Sequence, residues 1–294
     1  MAGLENLDDW IERASFPEAG TPLRCGVSGG ADSLALLALA AASGCEVTAV
    51  HVDHGVRPGG EQEAARVAHY AGLAGATFES ARVQVDSGSN LEARMRAARY
   101  GVLGPDAATG HTRDDQAETV LINLLRGSGL RGLGAMQPGH RRPILALGRS
   151  DTEAICHVLE WEPFTDPSNE DPAFVRNRIR HEAIPLLNEI AGRDIAPLFV
   201  RTADQARQAQ QLIDDLAAEL DATDVHALRN VPTPVAVSAL QRWLREETGD
   251  AYSPDAGSIH RVLDVVAGLV IAAEITGGWR VSRSQQRLQC KPSR

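Results

Sequence analysis

The chain is almost without lysine. Of its 29 basic residues only Lys291 is a lysine, and all the others are arginine. A Walker-type phosphate loop needs a lysine directly after its glycines, and a Schiff-base enzyme needs a buried one. A lone lysine near the C-terminal end excludes both. Cysteine is nearly as scarce: Cys25, Cys45, Cys156 and Cys290 lie far apart, with no C-x-x-C. That spacing offers no zinc knuckle, no redox pair and no disulfide framework. No uninterrupted apolar run approaches the ~20 residues of a membrane span. The opening MAGLENLDDWIERASF is acidic and amphipathic, the reverse of a signal or transit peptide. These absences lead to the expectation of a soluble, cytoplasmic protein with no membrane partner. A net charge of −10 also argues, taken as a total, against a nucleic-acid partner, because that affinity is dominated by phosphate neutralisation.

What is present is a core-forming chain of 294 residues, 43% apolar, long enough for one large or two ordinary domains. From Pro22, short apolar runs alternate with longer amphipathic ones. Leu23–Val27, Glu46–Val52, part of Ala76–Val85 and Asp106–Gly110 read as strands. Asp32–Ala42, Glu61–Leu73, Leu91–Leu103 (with Asn90 as its cap) and Asp114–Leu125 read as helices. Strict alternation predicts an α/β fold: a parallel sheet with right-handed crossovers and helices on both faces. Arg126–Arg149 is rich in Gly and Arg and reads as an irregular lobe, and Asp171–Leu187 reads as helical despite Pro185. After Gly192 the composition shifts. Asp194–Asp221, Val235–Glu247 and Ala256–Ala273 read as helices, followed by one short basic strand, Trp279–Gln289. The expected division is a domain over residues 1–192 and a smaller, mainly helical domain over 193–294.

Three clusters fall at strand ends, where open α/β sheets bind ligands. The first strand runs into Ser28-Gly29-Gly30-Ala31-Asp32-Ser33, which opens the first helix. Glycines allow a tight turn, and the backbone N–H groups with the helix N-terminus form an anion nest. Ser28 and Ser33 can donate to phosphate oxygens, and Asp32 can hold a magnesium ion bridging them. A plain strand-to-helix turn capped by Asp32 or Ser33 is the ordinary alternative. The second strand ends in His51-Val52-Asp53-His54; the spacing suggests zinc, but no second Cys/His cluster supports a metal site. The fourth strand ends in Gly110-His111-Thr112-Arg113-Asp114-Asp115-Gln116-Ala117-Glu118. Asp115 and Glu118 share a helix face. Acids are favoured in a first helical turn by the dipole alone, yet a pair facing an anion cleft needs a cation, either magnesium or a substrate amine.

The S-G-G-x-D-S loop resembles the pyrophosphate-loop (PP-loop) signature of the N-type ATP pyrophosphatases, whose domain has the adenine nucleotide alpha hydrolase-like fold. With it come H-V-D-H-G-V-R, N-L-E-A-R-M-R-A-A-R-Y, G-H-x-x-D-D-Q-A-E-T, R-G-S-G-L-x-G-L and the segment Asp166–Leu187, in order over about residues 22–190. The set is similar to the tRNA(Ile)-lysidine synthetase family. The resemblance implies an ATP-dependent ligase: ATP adenylates the C2 carbonyl of the wobble cytidine in a CAU-anticodon isoleucine tRNA, and the amine of free L-lysine displaces AMP. It implies that Ser28, Gly29, Gly30, Ala31, Asp32, Ser33 and Gly110 hold ATP, with Asp32 placing Mg2+. His51, Asp53 and His54 match the adenosine-side motif. Asp115 and Glu118 would face the lysine ammonium and His111 the reacting carbon; the proton acceptor is a carboxylate or a histidine. Glu92, Arg96, Arg99, Tyr100, Arg126, Arg176, Arg178 and Arg180 match positions placed for ATP or tRNA, with an exposed helix face as the ordinary alternative for each. A homodimer is left open as a further partner.

Two rival readings share the loop. A 2-thiocytidine synthetase type of tRNA-modifying enzyme should carry paired cysteines, and none are present. A non-catalytic adenine-nucleotide sensor has no reason to place His111, Asp115 and Glu118 beside the glycines. The charge objection weakens on mapping, because Leu91–Arg149 holds nine arginines against five acids, and Trp279–Arg294 holds five basic residues and no acid. Local patches of arginine, rather than the total, govern RNA binding.

Overall fold

The computed structural model describes residues 7–53, 60–83, 91–164, 171–250 and 254–293, with only the backbone described at Leu91, Glu92, Ala93 and Arg96. The expected cap Asn90 and the site residue His54 lie outside these ranges. The chain divides into two compact units, Met1–Asp204 and Gln205–Arg294. The division falls within one long helix, whereas the sequence suggests a change near Gly192.

In the first unit, β1 (Pro22–Gly26), β2 (Glu46–Asp53), β3 (Thr77–Arg82) and β4 (Ala108–Thr109) form one parallel sheet in the order β3-β2-β1-β4. α1 (Asp8–Glu12) precedes the sheet, α2 (Ala31–Ala42), α3 (Gly60–Ala74) and α4 (Leu91–Leu103) run between its strands, and α5 (Arg113–Leu125) follows β4. The chain moves outward from β1 to β2 and β3, then returns to add β4 on the other side. The topological switch point therefore lies between β1 and β4, and the loops that follow them meet there. Residues Ser33–Ala40 of α2 are all buried, which is why this helix is Leu/Ala-rich on every side. Leu23, Cys25 and Val27 of the first strand region pack in one core with α2, Val67 and Tyr70 of α3, and Ile155 and Cys156.

Some expectations change. β4 is only two residues long, pairing Ala108 with Cys25 and Thr109 with Gly26, and the Thr109 N–H donates to Arg141 O at 3.0 Å. The lobe after α5 contains a short helical turn, α6 (Leu130–Leu133), and the sequence reading missed α7 (Arg149–Val158). Its buried Thr152, Ile155 and Cys156, with Leu159, follow the i, i+3, i+4, i+7 spacing of an amphipathic helix. The expected helix over 171–187 is α8 (Val175–Arg178), a π turn (Ile179–Ala183) and α9 (Ile184–Ala191). Pro185 cannot donate to the carbonyl four residues back, and the wider turn directly precedes it.

α10 (Ala196–Ala218) leads into the second unit, where α11 (Val225–Arg229), α12 (Thr233–Thr248) and α13 (Ala256–Ala267) pack around Leu240, Trp243, Val262 and Val281. The expected single strand is a three-stranded antiparallel sheet, β5 (Ala272–Ile275), β6 (Trp279–Ser284) and β7 (Arg287–Pro292). Gly268 at φ 83 ends α13 early. Gln285 and Gln286, at φ 48 and 64, make the hairpin turn without the Asn-Gly that usually announces it. Among the described residues, no helix is long and apolar enough to cross a membrane.

Candidate functional site

The N–H of Val27 still bonds Val50 O at 2.9 Å, so the chain leaves the sheet at Ser28. Gly29 sits at φ 86, a conformation open to glycine, and its carbonyl is held by the Phe164 N–H at 2.8 Å. Ser33 Oγ lies beneath the loop. It accepts the N–H groups of Ser28 and Gly29, both at 3.1 Å, and donates to Gly30 O at 2.9 Å. Three of the expected anion donors, the N–H groups of Ser28 and Gly29 and the Ser33 hydroxyl, are thus engaged in shaping the turn. Gly30 is the N-cap of α2 and has no side chain to offer, so no side chain caps the N–H groups of Ala31 and Asp32 at the start of the helix, where an anion is favoured. The exposed Ser28 hydroxyl, 3.2 Å from Ser33 Oγ, lines the same mouth.

Asp32 stands in the first turn of α2. Its Oδ1 accepts the hydroxyl of the buried Thr152 on α7 at 2.5 Å, and Arg149 Nε lies 4.0 Å from Oδ2. Burial pushes the Asp32 carboxyl up to about 6, against the Thr152 hydrogen bond; nearby Asp115 adds to the rise, while Arg149 and Arg180 oppose it. Across the switch point, Gly110 allows the two loops to touch. A Cβ there would stand 2.6 Å from the Asp32 carbonyl oxygen and 3.1 Å from Ser33 Cα. Gly110 therefore sets the approach of the two loops.

His111 follows. The ring is fixed by Thr109 Oγ1, which lies 2.7 Å from His111 Nδ1 and 3.3 Å from Arg141 O. Asp115 and Glu118 are buried on one face of α5, as their spacing predicts. Asp115 Oδ2 accepts Thr112 N at 2.9 Å and Thr112 Oγ1 at 3.2 Å, a capping box. Their remaining oxygens face arginine. Glu118 accepts Arg176 Nε at 2.7 Å and Arg180 Nε at 2.6 Å; Asp115 Oδ1 accepts Arg176 Nη2 at 3.0 Å and Arg180 Nη2 at 3.3 Å. Arg149 Nη2 lies 3.8 Å from Asp115 and 3.6 Å from Glu118. Burial alone would raise the Asp115 carboxyl, but Arg176, His111, the Thr112 N–H and Arg149 outweigh it and hold the group below the usual range. The cation that the acidic pair requires is thus supplied by the chain itself.

The other expected residues are less concentrated. His51 is buried; its Nδ1–H donates to Val27 O at 3.0 Å, and its Nε2 is buried with no hydrogen-bond partner among the described residues. Asp53 packs against Gly60 and lies 3.6 Å from Arg82. Arg178 turns outward to Glu182 at 2.9 Å, Arg126 is exposed at the end of α5, and Arg99 is exposed on α4. The side chains of Glu92 and Arg96 lie outside the described set. Sequence reasoning missed Arg149 and Thr152, which enter with α7, and Gln116. The buried Gln116 amide bonds both Met136 O at 2.8 Å and Met136 N at 2.9 Å, pinning the lobe to α5. Among the described residues no cluster of three or more His, Cys, Asp or Glu could hold a metal.

A parallel sheet that carries Ser-Gly-Gly-x-Asp-Ser at its switch point defines a PP-loop protein. A family model described as a PP-loop domain matches residues 7–187. The chain is 38% identical over 279 residues to a tRNA(Ile)-lysidine synthase of Nocardia farcinica, covering 90% of this chain and 86% of that protein. It is 43% identical over 235 residues to the same enzyme of Rhodococcus erythropolis (74% and 72%), and 39% identical over 310 residues to that of Salinispora arenicola (93% and 91%). The chain belongs to the tRNA(Ile)-lysidine synthase family. Among solved structures, the U34-tRNA thiolase NcsA from Methanococcus maripaludis shares the fold, with a TM-score of 0.56 at 15% identity over 69% of this chain and 78% of that one.

Proposed function

We propose that the chain is an ATP-dependent ligase that joins the ε-amine of free lysine to C2 of the wobble cytidine in CAU-anticodon isoleucine tRNA. The observation that carries this reading is the anion loop Ser28–Ser33 held at the switch point against the Gly110–Glu118 turn. The α2 N-terminus takes the pyrophosphate end of ATP. The C2 carbonyl oxygen attacks the α-phosphorus, forming the adenylated cytidine and releasing pyrophosphate. The lysine amine then attacks C2 and AMP leaves with the oxygen.

One carboxylate beside a phosphate loop fits a magnesium ion, which is ordinarily held by one or two carboxylates with substrate phosphates. Asp32 is that carboxylate; Thr152 fixes its Oδ1, and its Oδ2 lies 4.0 Å from Arg149 Nε. Magnesium would neutralise phosphate charge there. The attacking amine must first lose a proton. Asp115, held ionised by arginines, is a weak base, so His111 takes the proton. His51 Nε2 offers an acceptor on the adenosine side. Residues 193–294 serve in tRNA recognition.

Incubation with labelled lysine, ATP and unmodified isoleucine tRNA tests the reading. Label is expected in the RNA with stoichiometric AMP and pyrophosphate. AMP release with another acceptor and no label in this tRNA would overturn it.

A further inference from the structure

Three acids and three arginines interlock beside the anion loop. Asp32, Asp115 and Glu118 face Arg149, Arg176 and Arg180, and the charges cancel in number. Glu118, whose side chain is 1% exposed, has Arg176 Nε on one oxygen and Arg180 Nε on the other. Asp115 has Thr112 on one oxygen and arginine on the other. An ammonium ion approaching this pair finds no open carboxylate oxygen. The arginines are less enclosed: their side chains are 28%, 33% and 21% exposed at Arg149, Arg176 and Arg180. Arg149 is the hinge of the arrangement. Its Nε faces Asp32 in the loop, and its buried Nη2 has no hydrogen-bond partner among the described residues while lying 3.6 Å from Glu118. Arg176 and Arg180 both come from one short stretch that contains the π turn Ile179–Ala183, a local distortion often found where a helix must adjust.

We propose that Arg149, Arg176 and Arg180 are the receptor for the polyphosphate of the nucleotide, parked on Asp115 and Glu118 until it arrives. Guanidinium forks match phosphate oxygens as well as carboxylates. Their transfer to the anion leaves two buried carboxylates that must gain another cation. That vacancy is the ammonium site of the second substrate. The two ligands then favour one another, and by thermodynamic linkage the coupling is reciprocal. The uncovering step rests on the lysidine reading; the receptor itself does not.

The wild-type chain is titrated with L-lysine by calorimetry, alone and with saturating α,β-methylene-ATP and magnesium. Lysine is expected to bind at least tenfold more tightly with the nucleotide; equal affinity in the two conditions overturns the uncovering step. Inorganic pyrophosphate is titrated into the wild type and into R149Q, R176Q and R180Q. Affinity is expected to fall tenfold or more in each variant that keeps the wild-type circular dichroism spectrum, and unchanged affinity overturns the receptor. R149Q removes the most loosely paired of the three and decides if the other two fail to fold. If lysine binds in neither condition, the labelled-tRNA assay separates the outcomes. Label in the RNA then condemns only the uncovering step; no label condemns the lysidine reading, and the pyrophosphate titration still judges the receptor.

Discussion

Asp32 is ionised at the expense of the fold. Its carboxyl, ordinarily at 3.8, is pushed up to about 6 by burial, so the folded state holds the proton more tightly than the unfolded chain does. The stabilising contribution of that proton is complete below 3.8 and is lost as the pH rises through about 6. At about 1.4 kcal/mol per pH unit, the ionised group costs at most about 3 kcal/mol at neutral pH. A carboxamide in its place would keep the acceptor for the Thr152 hydroxyl and remove the charge. Asp32→Asn is therefore expected to unfold at a higher temperature than the wild type at pH 7.5, to converge with it near pH 4, and to lose magnesium-dependent activity. Thermal melts across that range check the sign; a variant less stable at pH 7.5 refutes it. His111 makes a different demand. Its ring is fixed by Thr109, so replacing it should affect a proton transfer rather than the fold. His111→Gln is expected to lower the single-turnover rate by about 10²–10⁴ while the affinity for a non-cleavable ATP analogue stays within a few-fold. A normal rate would remove the histidine from the proton path.

The site is assembled where elements touch, and glycine at 110 is the clearest case. Gly110→Ala would drive a methyl against the Asp32 carbonyl oxygen at 2.6 Å, pushing the β4–α5 turn away from the anion loop. Nucleotide affinity is expected to drop at least tenfold by equilibrium titration. Gly72→Ala in α3, where an added Cβ meets nothing within 4 Å, is the control. It should leave affinity unchanged and raise stability by up to about 1 kcal/mol. Such contacts mark the limit of what a sequence discloses. The four strands, α2 to α5 and the loop were legible because each is local: a run of apolar residues, a helical spacing, a glycine turn at a strand end. The shared face of Asp115 and Glu118 was legible for the same reason. That arginines occupy this face was not, because Arg149, Arg176 and Arg180 arrive from α7 and from the α8 region, and nothing in their spacing states what they meet. The helix α7 itself carried the spacing Thr152, Ile155, Cys156, Leu159, but a polar Thr at the first position obscured it; that Thr is buried against Asp32. The C-terminal hairpin was missed because Gln285 and Gln286 adopt a turn ordinarily signalled by Asn-Gly.

A chain of net charge −10 that acts on RNA must segregate its charges. Over Arg193–Ile275 there are thirteen acids against seven arginines, whereas Trp279–Arg294 is purely basic. The three-stranded sheet converts that basic run into a surface. Val281 and Leu288 turn to the core, and the alternate positions Arg280, Ser284, Arg287, Gln289 and Lys291 are exposed. Arg280 and Lys291 are direct cross-strand partners. Like charges in that position repel and weaken a sheet, and Glu274, opposite Arg280 on the other side, offsets only one of them. Arg287 is engaged by Asp221 and Thr223. A phosphate backbone laid across the face would relieve the remaining repulsion. Each such contact releases counterions, so affinity should fall linearly with the logarithm of salt concentration. Arg280→Gln with Lys291→Gln is therefore expected to weaken tRNA binding and to lower the magnitude of the salt slope by roughly one per cation removed. Pyrophosphate binding and the melting temperature should not fall, since both side chains are exposed and the repulsion between them disappears. An unchanged salt slope would place the RNA elsewhere on the molecule.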